Sequence, residues 1–425
     1  MAATVQIDRE RSAERIDRDI ETLAGHDYTL SQTAIRRYAY TDVYRNTLAF
    51  FSRELEALGF EVAQDPVGNL VARNRPRGEK VFGIGSHCDS NRNGGKYDGT
   101  MGVVTALEVC RLNAELGLDL PLQLISFLEE EGSGFGQALL GSRIVAQTVT
   151  EQDLRETLLA LDDGRPFWEH ARDAGYEPER WLECRQILDD LIGWIELHIE
   201  QGRVLEDAGR PIGIVEAIAG YTHGDIVVTG RADHAGATPM PLRADALAAA
   251  AEIVLAVEEI ARAAGAGVVG TVGQIAATPG AINIIPGTAA MSLDVRSTNA
   301  DAFDGAVARI LGRAEEVARR RCVEVAFSRR QRLEPVQLDA TVIDALARAA
   351  DSSGAPWEPM SSGAAHDTMC VARRAPSAMV FVPCAAGVSH SPLEQADPDD
   401  AALGVEVIVN ALLGLIEPRD IATAR

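Results

Sequence analysis

Several absences narrow the class of this chain. No stretch of its 425 residues is uninterruptedly apolar for the about 18 positions that a membrane-spanning helix requires. The start, Met1-Ala2-Ala3-Thr4-Val5-Gln6-Ile7-Asp8-Arg9-Glu10, lacks the apolar core of a signal peptide. Positive charge is scarce, with 40 Lys and Arg against 63 Asp and Glu and a formal charge of −23. A surface this negative repels nucleic-acid phosphates and anionic lipid unless basic residues are segregated. The densest basic run, Arg319-Arg320-Arg321 followed by Arg329-Arg330, ends an expected helix and enters an expected strand, where it reads as a solvated face. The six cysteines (Cys88, Cys110, Cys184, Cys322, Cys370 and Cys384) show no C-x-x-C spacing, and reduced, mostly buried thiols are expected. Gly83-Ile84-Gly85 lacks the third glycine of a dinucleotide fingerprint, and neither G-x-x-x-x-G-K-[ST] nor G-x-S-x-G occurs. No internal repeat or low-complexity segment is visible. The expectation is a cytoplasmic protein with neither a nucleic-acid nor a membrane partner.

What is present is a globular composition, 46% apolar and 24% charged, in a chain long enough for two domains. The first 50 residues are helical in pattern, and a helical stretch from Thr47 to Leu58 leads to short strands near Phe60–Ala63 and Gly68–Ala72. Val81-Phe82-Gly83-Ile84-Gly85 and Leu122-Gln123-Leu124-Ile125-Ser126-Phe127-Leu128 are apolar runs of the kind buried in a parallel sheet. With a helix from about Gly102 to Leu116 between them, they make a βαβ unit. A charged helical region is expected from about 150 to 190. Alternation then places Glu196, His198 and Glu200 on one strand face.

From about 214 the texture changes. A strand near Asp225–Gly230 precedes an Ala-rich helix from about Leu242 to Ala264. Strands follow near Val268–Ile275 and Thr288–Val295, then a helix capped by Thr298 or Asn299, then a strand at Val323–Phe327. Two helices and four strands form a compact α+β unit. Residues 214–331 are thus expected as an insertion within a larger α/β domain of residues 1–213 and 332–425, which ends with a strand at Ala378–Val382 and a helix from about Pro398 to Ile416.

Chemistry gathers where the buried strands end, since open α/β sheets hold ligands at their carboxyl edge. The first run leads to Ser86-His87-Cys88-Asp89 and Gly95-Lys96-Tyr97-Asp98-Gly99, the second to Glu129-Glu130-Glu131-Gly132. Three consecutive carboxylates are tolerable where cations neutralise them or where they face water. His198 and His390 add imidazoles, and the donor set suits Zn²⁺, with Mn²⁺ or Co²⁺ as alternatives. Each element alone has a bland reading as a strand-end histidine or a solvated turn. H-x-D followed by G-x-x-D-G and E-E-E-G is a sharper pattern.

These motifs resemble the metal-dependent amidohydrolases of the M20 peptidase superfamily, in particular the hydantoinase/carbamoylase branch. The resemblance extends through Glu196-Leu197-His198-Ile199-Glu200-Gln201-Gly202, Asp233-His234-Ala235-Gly236-Ala237-Thr238-Pro239-Met240, Asn283-Ile284-Ile285-Pro286-Gly287, Asp294-Val295-Arg296-Ser297, Ser362-Gly363-Ala364-Ala365-His366-Asp367 and Ser389-His390-Ser391-Pro392-Leu393-Glu394. It implies an α/β fold, with a di-metal exopeptidase-like catalytic domain whose mixed central sheet is flanked by helices, and a smaller inserted α+β lid that also dimerises.

The resemblance further implies two divalent ions per subunit, zinc first and manganese, cobalt or nickel as alternatives. Asp98 bridges them, with His87 and His198 on one ion and Glu131 and His390 on the other. Asp89 accepts from the far nitrogen of His87, and Glu130 is the general base. His234 is the oxyanion donor, supplied across a homodimer. Arg296 and Asn283, with Gln201, clamp a substrate carboxylate, and His366 is a substrate contact or, with Asp367, a supporting pair. Two positions depart from the branch pattern, Gly134 where Arg is usual and Ala365 where a second glycine is usual. The implied reaction is hydrolysis of a linear C–N amide in a carboxylate-bearing carbamoyl or ureido compound such as an N-carbamoyl-L-amino acid or allantoate. Alternatives are an aminoacylase-like or peptidase-like hydrolase and a non-catalytic metal-stabilised binding protein, although a structural site has no need of Glu130.

Overall fold

A computed structural model describes residues 4–265 and 267–416. Met1, Ala2 and Ala3 lie outside the described residues. Two compact units divide the chain, Met1–Glu216 with Leu338–Arg425, and Ala217–Gln337. Their limits fall slightly beyond 213 and 331 because paired strands run through both positions.

In the larger unit, α1 (Arg9–Leu23) starts at Asp8, whose carboxylate accepts the N–H of Arg11 at 3.1 Å, and α2 (Asp42–Ala57) starts at Thr41. Their helically spaced apolar residues, Ile16, Ile20 and Leu23 on α1 and Leu48, Phe51 and Leu55 on α2, enter the main core. β1 (Glu61–Gln64) and β2 (Leu70–Arg73) pair antiparallel. β3 (Val81–His87), α3 (Thr100–Glu115) and β4 (Leu122–Phe127) form the expected βαβ unit, with Phe82 opposite Leu122. After α4 (Leu140–Val145) and α5 (Phe167–Asp173), β5 (Leu191–Ile199) runs parallel to β3, and α6 (Val204–Ala208) leads to β6 (Ile212–Ile218). The stretch from 150 to 190 is not one helical region. It is a π turn at Asp153–Thr157, the short α5 and a 3-10 segment at Pro178–Leu188, because Gly164, Pro166, Gly175 and Pro178 interrupt the periodicity.

The second unit contains β7 (Gly220–Thr229), β8 (Asp233–His234), α7 (Ala246–Ala264), β9 (Val269–Thr271), β10 (Ile275–Thr278), β11 (Ile284–Ile285), β12 (Thr288–Ser297), α8 (Ala300–Arg321), β13 (Glu324–Leu333) and β14 (Val336–Gln337). β10-β12-β7-β13 is an antiparallel sheet to which β9 adds beside β12, while β8 and β11 pair separately. The Ala-rich helix begins at Ala246 rather than Leu242, because Pro239 and Pro241 hold the preceding turn and Asp245 accepts the N–H of Ala248 at 3.0 Å. The strand expected over Val268–Ile275 is two strands, β9 and β10, and the strand after α8 extends to Leu333. Ile253 and Val257 of α7, Phe303 and Ile310 of α8, and Val228, Leu293 and Val295 of the sheet form a core of their own.

The chain returns through α9 (Ala340–Ser352), β15 (Trp357–Ser362), α10 (Thr368–Val371), β16 (Ser377–Val382) and α11 (Pro398–Leu415). Exit and return form a stem: Ile218 lies opposite Val336, Ala217 opposite Gln337, and the N–H of Leu338 donates to the Glu216 carbonyl at 2.9 Å. In the main sheet, ordered β1-β2-β4-β3-β5-β16-β6-β14 with β15 beside β6, the central strands β4, β3, β5 and β16 are mutually parallel. Their carboxyl ends therefore share one edge. Among the described residues no helix is long and apolar enough to cross a membrane.

Buried Arg37 fastens the N-terminal segment to this edge. Its guanidinium donates to the carbonyls of Leu23 (2.5 Å), Tyr28 (3.0 Å) and Cys88 (3.0 Å) and to the hydroxyl of Thr100 (3.2 Å). Arg37→Met is expected to lower unfolding stability by about 3 kcal/mol or more, because it strands several buried acceptors. Urea unfolding of the two proteins measures the difference, and a loss below about 1 kcal/mol would contradict this role.

Candidate active site

β3 ends at His87, β4 leads into the Glu129-Glu130-Glu131 turn, β5 carries His198 one residue before its end, and the loop after β16 carries His390. Asp98 comes from the Gly-rich loop before α3. Its Oδ1 lies 3.2 Å from His198 Nε2 and 3.9 Å from His87 Nε2, and its Oδ2 lies 3.2 Å from His390 Nε2. Glu131 Oε2 is 3.4 Å from the same His390 nitrogen. Two triads share Asp98, one with His87 and His198 and one with Glu131 and His390, and the donor atoms within each lie within 4.8 Å of one another.

Hydrogen bonding prepares the histidines as ligands. A carbonyl only accepts, so His87 Nδ1 must carry the hydrogen it shares with the Asp89 carbonyl at 3.2 Å, and His198 Nδ1 the hydrogen it shares with the Ile199 carbonyl at 2.9 Å. Each ring thereby turns Nε2 toward Asp98, and His198 Nε2 also accepts the Gly99 N–H at 3.2 Å. Asp89 accepts from His87 through its backbone. Its carbonyl is the close acceptor, whereas its carboxylate, 3.5 Å from His87 Nδ1, takes the backbone N–H groups of Glu130 and Glu131 at 3.0 Å each. Asp89 thus fixes the imidazole and the acidic turn together.

The acidic turn is buried. Burial, followed by the charge of Asp98, pushes the Glu131 carboxyl up to about 8, and burial likewise pushes Glu129 to about 8 and Glu130 well above the usual carboxylate range. Burial opposes protonation of His87, but Glu130, Asp89 and Asp98 outweigh it and raise the ring's pKa well above its ordinary value. Burial also disfavours the Asp98 anion, yet the surrounding imidazoles hold that carboxyl well below its usual range. Buried carboxylates crowded on imidazole nitrogens fit hard or borderline divalent cations. Glu130 belongs to neither triad, and its Oε2 lies 3.6 Å from His87 Nε2.

Glu129 points away from this group. Its Oε1 accepts the N–H groups of Gly134 (2.5 Å) and Phe135 (2.9 Å), and a Cβ at position 134 would stand 2.9 Å from that oxygen. A side chain at position 134 would therefore have to share space with the Glu129 carboxyl. His366 meets His198 edge to face at 4.6 Å between ring centres and shares a hydrogen with Ser362 Oγ at 2.9 Å. Burial, then the neighbouring His198, lowers its pKa well below the ordinary value. Glu196, His198 and His366 form a further triad, but hydrogens from Ser86 and Thr368 already satisfy Glu196. Gln201 donates to Asp98 Oδ2 at 2.9 Å and to Ser389 Oγ at 3.3 Å.

The second unit holds the remaining residues. His234 is exposed, and its Nδ1 accepts the N–H groups of Gly236 and Ala237 at 3.1 Å each, so a neutral ring carries its hydrogen on Nε2. The Asn283 carbonyl accepts the Ala235 N–H at 2.9 Å, which places both residues on the β8–β11 ladder. Arg296 on β12 bonds Asp294 at 2.9 and 3.0 Å and lies over the Tyr221 ring. Burial opposes ionisation of Asp294, but hydrogen bonds from His223 and Arg296 prevail and hold its carboxyl at about 2.

Residues 83–414 match peptidase family M20/M25/M40. The chain belongs to this family. Among its relatives, the N-carbamoyl-L-amino acid amidohydrolase of Geobacillus stearothermophilus is 38% identical over 389 residues, covering 90% of this chain and 94% of that protein. The ureidoglycolate hydrolase of Oryza sativa subsp. japonica is 36% identical over 392 residues, covering 90% and 80% respectively. The crystal structure of an amidase of the hydantoinase/carbamoylase family from Burkholderia multivorans matches with a TM-score of 0.84 at 30% identity, covering 95% of this chain and 97% of that one. The M20/M25/M40 assignment and these relatives agree with the branch indicated by the motifs. Glu394 and Ser389 lie within those motifs, yet no role had been read from them; both bond at Asp98, as described below.

The raised carboxyls carry a pH signature. Glu129, Glu131 and, at about 7, Glu394 stabilise the fold in their neutral forms. That contribution is complete below the ordinary carboxyl range and is lost as pH rises toward 8. Protein stripped of metal is expected to melt at falling temperature between about pH 5 and 8, and added Zn²⁺ or Mn²⁺ to flatten that slope. A melting temperature independent of both pH and metal would contradict it.

Proposed function

We propose that Asp98 bridges two divalent ions, one also held by His87 and His198 and the other by Glu131 and His390, with zinc the first choice and manganese, cobalt or nickel as alternatives. The protein is a metal-dependent amidohydrolase that hydrolyses a linear C–N bond in a carboxylate-bearing carbamoyl or ureido compound. An N-carbamoyl-L-amino acid or an allantoate-like compound is the substrate, and amine, CO₂ and ammonia are the products. The observation that carries this reading is Glu130, a buried carboxylate 3.6 Å from His87 Nε2 and a member of neither triad.

When bound, the ions supply Lewis acidity, which acidifies water and polarises the scissile carbonyl. Glu130 takes the proton from the attacking water and returns it to the leaving nitrogen. Its raised pKa suits a group that must both accept and donate. Asp89 keeps the Glu130 backbone and the His87 ring in fixed relation. His234, with its hydrogen on Nε2, donates to the developing oxyanion, and Arg296, Asn283 and Gln201 grip the substrate carboxylate while His366 lines the pocket beside His198. The enzyme acts in the cytoplasm as a homodimer in which the second unit supplies His234 to the partner's site. Exposed Leu242 in the turn before α7, Leu247 and Leu255 on α7, Val269 on β9 and Ile275 on β10 support that unit as the dimer surface.

Glu130→Gln is expected to retain metal and to lower kcat by about 10²–10⁴-fold, whereas Asp98→Ala loses metal together with rate. Equal metal loss in both would move the base to another carboxylate. Ammonia release from an N-carbamoyl amino acid, with no hydrolysis of the N-acetyl analogue, distinguishes this reading from an aminoacylase; the opposite pattern would refute it.

Mixing His234→Ala with Glu130→Gln protein under subunit exchange is expected to restore part of the activity, since one site per heterodimer is then intact. Full activity of His234→Ala alone, or of a monomer in sedimentation, would refute the shared site.

A further inference from the structure

Glu394 sits in the loop that carries His390 and is 2% exposed. Its Oε1 accepts the backbone N–H groups of Tyr97 and Asp98, each at 2.9 Å, and its Oε2 accepts the hydroxyl hydrogen of Ser389 at 3.0 Å. One carboxylate thus joins the Asp98 loop to the His390 loop. Ser389 Oγ also lies 3.2 Å from Asp98 Oδ2, the oxygen that faces His390 Nε2 at 3.2 Å. Position 95 is shaped around this clasp. A Cβ there would stand 2.4 Å from both Oε1 and Cβ of Glu394, so only glycine lets the carboxylate reach the loop.

We propose that Glu394 is a positioning residue for the ion held by Asp98, Glu131 and His390. It touches no expected ligand through that ligand's side chain. It fixes the backbone of Asp98 and, through Ser389, the neighbour of His390, and so sets the spacing at which the two side chains meet. Groups that orient metal ligands from behind typically contribute about 10–100-fold to affinity. The ion of His87 and His198 depends on it less, because those residues are set by their own carbonyl bonds. This inference rests on the two-ion reading above.

The test is calorimetric titration of the metal-free full-length protein with Zn²⁺, accompanied by its melting temperature without metal. Wild type is expected to bind two ions. Glu394→Ala is expected to weaken one of them by about 10–100-fold and to leave the other within a few-fold. Glu394→Gln keeps an oxygen for the two backbone N–H groups and can donate to Ser389 Oγ, so it is expected to recover most of the lost affinity. Gly95→Ala, which displaces the carboxylate from outside, should reproduce the Glu394→Ala loss. Two ions bound with wild-type affinity by Glu394→Ala would overturn the proposal, as would equal weakening of both ions with a lowered metal-free melting temperature, the pattern of a general structural defect. If wild type itself binds only one ion, the two-ion reading fails and the proposal with it. Two ions in wild type with no selective loss in Glu394→Ala overturns the proposal alone.

Discussion

Asp98 is the carboxylate around which the site is arranged. Its two oxygens face three imidazoles drawn from the ends of β3 and β5 and from the loop after β16, and Gln201 and Ser389 bond the same group. Such an anion could not be buried in apolar surroundings without heavy desolvation. The sheet solves this by running its four central strands in parallel, so that their carboxyl ends and the loops after them supply the counterpart groups at one edge. The backbone bonds of Asp89, the tautomers of His87 and His198 and the position of Glu130 all follow from filling that edge.

Carboxylates at this edge are held in different ways. Asp89 is satisfied by two backbone N–H groups, Glu196 by Ser86 and Thr368 and Glu394 by three donors, while the turn at Gly134 and Phe135 bonds one oxygen of Glu129. Glu130 and Glu131 retain carboxyl oxygens turned toward imidazole nitrogens. The oxygens that face imidazoles thus set Glu130 and Glu131 apart from the carboxylates bonded to backbone and hydroxyl donors.

Much of this was legible in sequence, for identifiable reasons. The apolar runs at Val81 and Leu122, separated by one helix, specify a parallel pair, and the polar residues just beyond them fall at the sheet's ligand-bearing edge. Three features were not legible. The segment from 150 to 190 carries a helical composition, but its prolines and glycines divide it into pieces too short to show a period. Asp89 was expected to accept from His87, but one-dimensional spacing cannot tell that the carbonyl, not the carboxylate, is the nearer acceptor. Glu394 acts on backbone N–H groups almost 300 residues away, and a bond to backbone leaves no complementary side chain to be noticed.

The stem at Ala217–Ile218 and Val336–Gln337 bears on how the chain is wired. The excursion through the second unit begins and ends at one rung of an antiparallel ladder, Ile218 opposite Val336, so in chain topology it is a long hairpin loop closed at its base. Closing such a loop costs an entropy that grows only slowly with its length, and the second unit offsets its own ordering through a separate core. A short turn in its place would join the two sides of that same rung, so the length of the excursion can change without rewiring the order of the strands that hold the site.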